Sequence, residues 1–184
     1  MRQPTSAERT TITSVLAAVA AALRLFRIPN IAGVGGLGIY AGARLPLWIA
    51  WMPSMAVMAL TDFYLWQIRA EPPFDPWVYV GCFGYVLLGR LLVRGRSAWR
   101  IATATALGSV QFYLISNFGT WYTSHGVSPP MYPPTMQGLI ACYLAGLPFL
   151  GYTLFSDLCF TGAAFAAEAL TAPATAHAAE EVRA

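Results

Sequence analysis

Apolar residues in this chain fall into long unbroken runs separated by short polar stretches. They neither alternate as in strands nor trace a single stripe as on the surface helices of a soluble protein. After a polar start at 1–11, with Arg2, Glu8 and Arg9, an apolar run covers 12–26 and ends beside Arg24 and Arg27. Pro29-Asn30 interrupts it, and a second run at 31–43 carries Gly33, Gly35, Gly36, Gly38 and Gly42. Further runs cover 45–66, 77–93, 101–118 and 135–170, and the chain closes on a polar, Ala-rich tail. Runs of this kind predict helices able to cross a hydrocarbon layer, which takes roughly 20 residues. The 31–43 run is short for that, so it reads as a tilted, tightly packed helix or a re-entrant segment.

The pattern therefore predicts an all-α, polytopic membrane helix bundle of six transmembrane helices, the second short and Gly-rich. Its parts are a polar N-terminal segment at 1–11, one transmembrane domain at 12–170 and a disordered cytoplasmic tail at 171–184. Pro46 falls in the first turn of the 45–66 helix and Pro53 predicts a kink. Thr135 caps the last helix, which protrudes or bends at Pro148. Trp99 and Trp121 mark the two ends of the 101–118 helix as interface anchors. The basic start, short apolar core and Ala20-Ala21-Ala22 also fit a cleavable signal; the reading taken is a retained span.

The arginines set the orientation. Six spans place Arg2, Arg9, Arg44, Arg90, Arg94, Arg96, Arg100 and Arg183 inside and Arg24, Arg27 and Arg69 outside. A five-span alternative, in which 31–43 does not cross, gives an equal balance with the N-terminus outside. Both put the Arg90 to Arg100 turn and the C-terminus in the cytoplasm and the 119–134 lid outside.

Composition narrows the class. The chain has 184 residues, 57% hydrophobic and 10% charged, with mean hydropathy +0.55. A soluble domain carries about a quarter charged residues, so this one belongs in a bacterial inner membrane. The net charge of +3 comes from arginine alone, with no lysine, and implies no nucleic-acid partner. Cys82, Cys142 and Cys159 lie in apolar runs without CxxC spacing and read as small residues at helix contacts. With His125 in a loop and His177 in the tail, no histidine stands at membrane depth to ligate a cofactor. No metal or cofactor is expected. The absence of a phosphate loop, HExxH or GxSxG leaves no soluble-type catalytic motif, and a non-enzymatic role is expected.

Candidate chemistry then rests on polar groups inside the bundle. Asp62 and Asp157 are acids at membrane depth, which are usually paired or functional. They lie toward opposite faces and read as structural charge pairs, with Arg24 or Arg27 for Asp62 and Arg90 for Asp157. Ala17 with Ala21 and Ala18 with Ala22 put small residues four apart on the first helix, where another helix can approach closely. Gln111, Asn117, Trp121, Tyr122, Tyr132, Gln137 and Tyr143 gather flat rings and neutral hydrogen-bonding groups near one mouth, as sites for small organic ligands do. An interfacial aromatic belt explains Trp121 and Tyr122 equally well.

The pattern of Asn117-Phe118-Gly119-Thr120-Trp121, Tyr132-Pro133, Gly138-Leu139, Cys142-Tyr143, Pro148-Phe149 and Ser156-Asp157-Leu158 resembles a family of small bacterial integral-membrane proteins of unknown function. The layout is more distantly similar to the substrate-binding S components of energy-coupling-factor vitamin transporters. That resemblance implies a six-helix bundle with both termini cytoplasmic, and outer loops closing over a vitamin-like solute. It also implies docking of the alanine face (Ala17, Ala18, Ala21, Ala22) on a membrane partner subunit. The expectation is uptake of a small organic solute with partner subunits. The alternative is a non-catalytic accessory subunit of a larger membrane complex.

Overall fold

A computed structural model of the protein describes residues 5–26, 31–69, 74–126 and 128–171. Among them there are helices and no strands: α1 (Ser6–Phe26), α2 (Val34–Arg44), α3 (Leu47–Ala50), α4 (Met52–Arg69), α5 (Pro76–Leu92), α6 (Ala98–Ser124) and α7 (Met136–Thr171). The expectations placed on the tail, on Arg27 and on the first four residues lie outside the described residues.

Local chemistry sets the boundaries. At α1 the Glu8 N–H donates to Thr5 Oγ1 (3.2 Å) while Glu8 Oε2 accepts from the Thr5 N–H (2.6 Å), a reciprocal capping box. Asp75 accepts from the Trp77 N–H at 2.9 Å and Pro76 occupies the first turn of α5. Thr135 Oγ1 accepts from the Gly138 N–H at 3.1 Å, capping α7 where the sequence predicts. The helix broken near Pro53 is α3 followed by α4, parted at Trp51; Pro53 has no N–H to offer the Ile49 carbonyl. Pro148 does not part α7, which continues for 36 residues, about 54 Å at 1.5 Å per residue.

Two elements differ from expectation. The second apolar run becomes an 11-residue helix starting at Val34, about 16 Å long, preceded by Gly33 in the left-handed region at φ 66°. Helix α6 does not stop at residue 118 but continues to Ser124, so Trp121 and Tyr122 stand on a helix rather than in a lid loop. No proline interrupts 119–124, and Gly119 is held in the helix against the Trp77 ring; the helix ends only before Gly126, ahead of Pro129 and Pro130.

Helix α2 is the centre of the fold. Every residue from Val34 to Gly42 is buried, and α1, α4, α5, α6 and α7 all pack on it. Glycine allows the closest of these contacts: a Cβ on Gly42 would lie 2.0 Å from the Val86 carbonyl oxygen, and one on Gly89 would lie 2.3 Å from that of Ile39. Backbone therefore meets backbone where α2 crosses α5.

Side-chain pairing fixes the chain directions. Arg9 near the start of α1 donates to the Arg44 carbonyl at the end of α2, whereas Arg24 near the end of α1 bonds Thr61 and Asp62 of α4. Tyr79 at the start of α5 reaches the same Asp62, and Arg96, just before α6, reaches Glu168 near the end of α7. Helices α1, α4 and α6 thus run from an arginine-rich end toward the 128–135 loop, and α2, α5 and α7 return. By length and composition, α1 and α7 are apolar enough to cross a membrane, and α5 is a shorter apolar helix. The exterior bears Trp48 (72% exposed), Leu60 (70%) and Phe155 (65%), while Ser54, Thr105, Ser109, Asp157, Thr161 and Glu168 are buried.

Candidate functional site

Three polar clusters and one aromatic cluster occur along the bundle. Toward the 128–135 loop, an Arg24 Nη donates to Asp62 Oδ1, Arg24 Nε to Thr61 Oγ1 (2.7 Å) and Tyr79 Oη to Asp62 Oδ2 (2.9 Å). Arg24 is thus the partner of Asp62, and the cluster ties α1, α4 and α5 together.

Midway lies Asp157, 3% exposed. Arg90 does not reach it. Tyr85 Oη donates to Asp157 Oδ2 at 2.5 Å, and Ser109 Oγ lies 2.9 Å from that oxygen. The Gly36 N–H at the start of α2 also faces the carboxyl group. The reason is helical geometry. Arg90 comes five residues after Tyr85, so it points about 140° away and sits about 7.5 Å further along α5, exposed.

At the arginine-rich end Glu168, 1% exposed, accepts from Arg44 Nε (2.6 Å) and Arg96 Nε (3.3 Å). Arg44 also donates to the Gly95 carbonyl (2.8 Å), and its guanidinium lies 4.6 Å from the centre of the Phe165 ring. These contacts fix the α5–α6 turn against the ends of α2 and α7. Glu168 is absent from the candidates read off the sequence. A signal for it was available: Asp157, Thr161, Phe165 and Glu168 recur at helical spacing, and all four are buried.

Of the residues read as a solute site, Asn117, Trp121, Tyr122, Tyr132, Gln137 and Tyr143 lie toward the 128–135 loop and Gln111 lies midway along α6; most of their polar groups are turned to packing. Gln111 Nε2 donates to the Gly81 and Gly108 carbonyls (2.8 and 3.0 Å), joining α6 to α5. Asn117 Nδ2 donates to Tyr113 O of its own helix, and the Cys142 thiol lies 3.3 Å from the Asn117 carbonyl. Tyr143 Oη donates to Leu114 O (3.0 Å) and Tyr113 Oη to Tyr143 O (2.5 Å), crossing between α6 and α7. Gln137 is exposed, and Tyr132 offers its carbonyl to Ser124 Oγ at 3.3 Å.

What remains open to a ligand is aromatic. Trp77 meets Phe118 (ring centres 5.2 Å apart) and Tyr122 (5.9 Å), while Trp121 meets Phe118 (5.7 Å) and His125 (4.6 Å). Trp121 Nε1 donates to Pro133 O at 3.1 Å, fastening this cluster under the loop. Trp77, Phe118 and His125 are members that the sequence reading did not place among the solute candidates. An apolar groove of about 690 Å³ lies elsewhere, lined by Leu47, Trp48, Trp51, Met55 and Phe83. Of the docking alanines, Ala17 and Ala21 pack against the core, whereas Ala18 and Ala22 are exposed. Cys82 and Cys142 are buried and Cys159 is exposed, all as free thiols. Among the described residues no three His, Cys, Asp or Glu side chains gather as metal ligands do.

Comparison with known families finds one described as a family of unknown function, DUF6580, which matches residues 4–179. The chain belongs to that family. No curated protein and no solved structure matches it.

Proposed function

We propose that this chain is a six-crossing, non-catalytic subunit of a bacterial inner membrane that takes up a small organic solute from the outer side with partner subunits, in the manner of an S component. Several features support the membrane setting. The exterior is apolar and the interior polar, six helical passages alternate in direction, and the arginines are unequally shared. Arg9, Arg44, Arg90, Arg94, Arg96 and Arg100 stand at one end and, among the described residues, Arg24 and the Arg69 that closes α4 stand at the other. The positive-inside rule makes the first end, and with it the end of α7, cytoplasmic. Helix α2 is too short to span alone, but short and irregular segments are tolerated at membrane depth when protein surrounds them.

The observation that carries the solute reading is the aromatic cluster of Trp77, Phe118, Trp121, Tyr122 and His125 beneath the 128–135 loop on the outer side. Flat rings bind planar, poorly charged molecules by stacking, and the Trp121–Pro133 bond couples the rings to the loop above. The test is quenching of tryptophan fluorescence by a panel of vitamins and their precursors in purified protein. Trp121→Ala removes a stacking face and a loop contact, together about 2–3 kcal/mol, and should weaken binding on the order of 30–150-fold without loss of fold. Saturable binding unchanged in Trp121→Ala would contradict this site.

A second reading, an accessory subunit of a membrane complex, draws support from a different observation. Gln111, Asn117 and Tyr143 direct their hydrogen bonds into the bundle, and Ala18 and Ala22 leave an exposed small-residue face on α1. Under that reading no compound protects the 128–135 loop from protease, and Trp121→Ala impairs assembly instead.

A further inference from the structure

The three acids inside the bundle are not treated alike. Asp62 has Arg24, and Glu168 has Arg44 and Arg96. Asp157, between them in depth and 3% exposed, meets the hydroxyls of Tyr85 and Ser109 and the facing Gly36 N–H. Among the described residues no ion pair reaches it, and the next acid or base along α7 is Glu168. Between Arg9 and Arg24 on α1, and between Met52 and Asp62 on α4, there is none. Helix α2 offers Gly35 and Gly36, α6 offers Ser109, and α5 offers Tyr85 with Cys82 one turn earlier. A carboxylate buried without an opposite charge is strongly disfavoured even when hydrogen-bonded, and a neutral carboxyl group avoids that penalty.

The hydrogen count at Ser109 admits the neutral form. Its Oγ lies 2.9 Å from Asp157 Oδ2 and 3.2 Å from the Thr105 carbonyl, yet it carries a single hydrogen. An ionised Asp157 takes that hydrogen. A protonated one donates Oδ2–H to Ser109 Oγ, which then donates to Thr105 O, and Tyr85 still donates to the carboxyl group. Both arrangements use every hydrogen, and only the second buries no charge. One turn further along α7, the buried Thr161 hydroxyl has no hydrogen-bond partner among the described residues, a further polar group beside Asp157.

We propose that Asp157 is a proton-binding site at the middle of the bundle, with Tyr85 and Ser109 as its positioning residues. It is independent of what the outer face binds. The experiment is infrared spectroscopy of the whole purified protein in lipid, at neutral and at mildly acidic pH. The expected result is a protonated-carboxyl C=O band that moves in D2O, vanishes in Asp157→Asn and shifts in Ser109→Ala. Asparagine keeps the shape of the neutral acid and, with its oxygen at the Oδ2 position, still accepts from Tyr85 and Ser109 without burying a charge. Asp157→Asn should therefore leave the thermal midpoint unchanged, while Asp62→Asn, which breaks an ion pair, lowers it. Absence of the band overturns the proposal and makes Asp157 an ionised cap on α2. Absence of the band with a midpoint that rises with sodium overturns it in favour of a metal cation. If Asp157→Asn does not fold, the Ser109→Ala shift decides, since a carboxylate has no such band to move.

Discussion

Glu168 offers a stringent test of how this bundle is held. Its side chain is 2% exposed and that of Arg44 is 9% exposed, so removing the carboxylate leaves a largely buried guanidinium without its counter-charge. Breaking a buried pair from one side costs about 3–5 kcal/mol. Arg96, 29% exposed, should turn to solvent at little cost. Glu168→Gln keeps one acceptor oxygen and the shape but loses the charge, so it should fall near the lower limit, about 3 kcal/mol. For a chain of this size that corresponds to a fall in thermal midpoint of roughly 6–12 °C. Replacing both partners, Arg44→Met with Glu168→Leu, should recover much of the loss, because no charge is then buried. Recovery should be incomplete, since Arg44 also holds the Gly95 carbonyl and the Phe165 ring. Arg96→Ala should cost less than about 1 kcal/mol. Thermal unfolding of the purified variants, run as a double-mutant cycle, measures each quantity. A wild-type midpoint in Glu168→Gln, or an Arg96→Ala as damaging as Arg44→Ala, would refute the assignment of Arg44 as the principal partner.

Gly42→Ala should abolish the folded yield, because the added carbon lies 2.0 Å from the Val86 carbonyl oxygen of rigid backbone; Gly162→Ala, with nothing within 4 Å, should match wild type and serves as the control for size-exclusion recovery. Single cysteines at Arg94 and Ser128, in a chain with its own thiols replaced, should react with impermeant maleimide from opposite sides of the membrane, and labelling of both from one side would overturn the six-crossing reading.

Much of the architecture was legible because the lengths of apolar runs and the residues that stop helices are local properties. Asp75-Pro76, Thr135 and the Arg90 to Arg100 turn each announce a boundary that the fold observes. Arg24 as a partner for Asp62 was legible because the two sit at the same depth on helices running in one direction. The partner of Asp157 was not. Depth alone places Arg90 near it, while the direction in which a helical side chain points places Tyr85 there instead. The role of α2 was hidden for another reason. A short Gly-rich run looks weak to any measure of apolar length, yet its small residues are what let five helices close around it. For the solute candidates, sequence gives no account of which amides are consumed by neighbouring carbonyls, as Gln111 and Asn117 are.

The shortness of α2 and the spacing of acids on α7 belong together. At its N-terminal end α2 lays Gly35 and Gly36 against the Asp157 carboxyl group, and at its C-terminal end Arg44 meets Glu168. The two acids are 11 positions apart, about 16 Å along α7, which is also the length of α2. Because α2 and α7 run in the same direction, both contacts form in one register only. Sliding α2 by a single turn, about 5.4 Å, would leave an acid unmatched at either end and drive the Gly42 backbone contact with Val86 onto side chains with Cβ atoms. Apolar packing alone is permissive about such slips, since one lipid-like surface resembles another. The polar contacts at the two ends of α2 are therefore what select the register, and the glycines between them are what allow the selected register to pack.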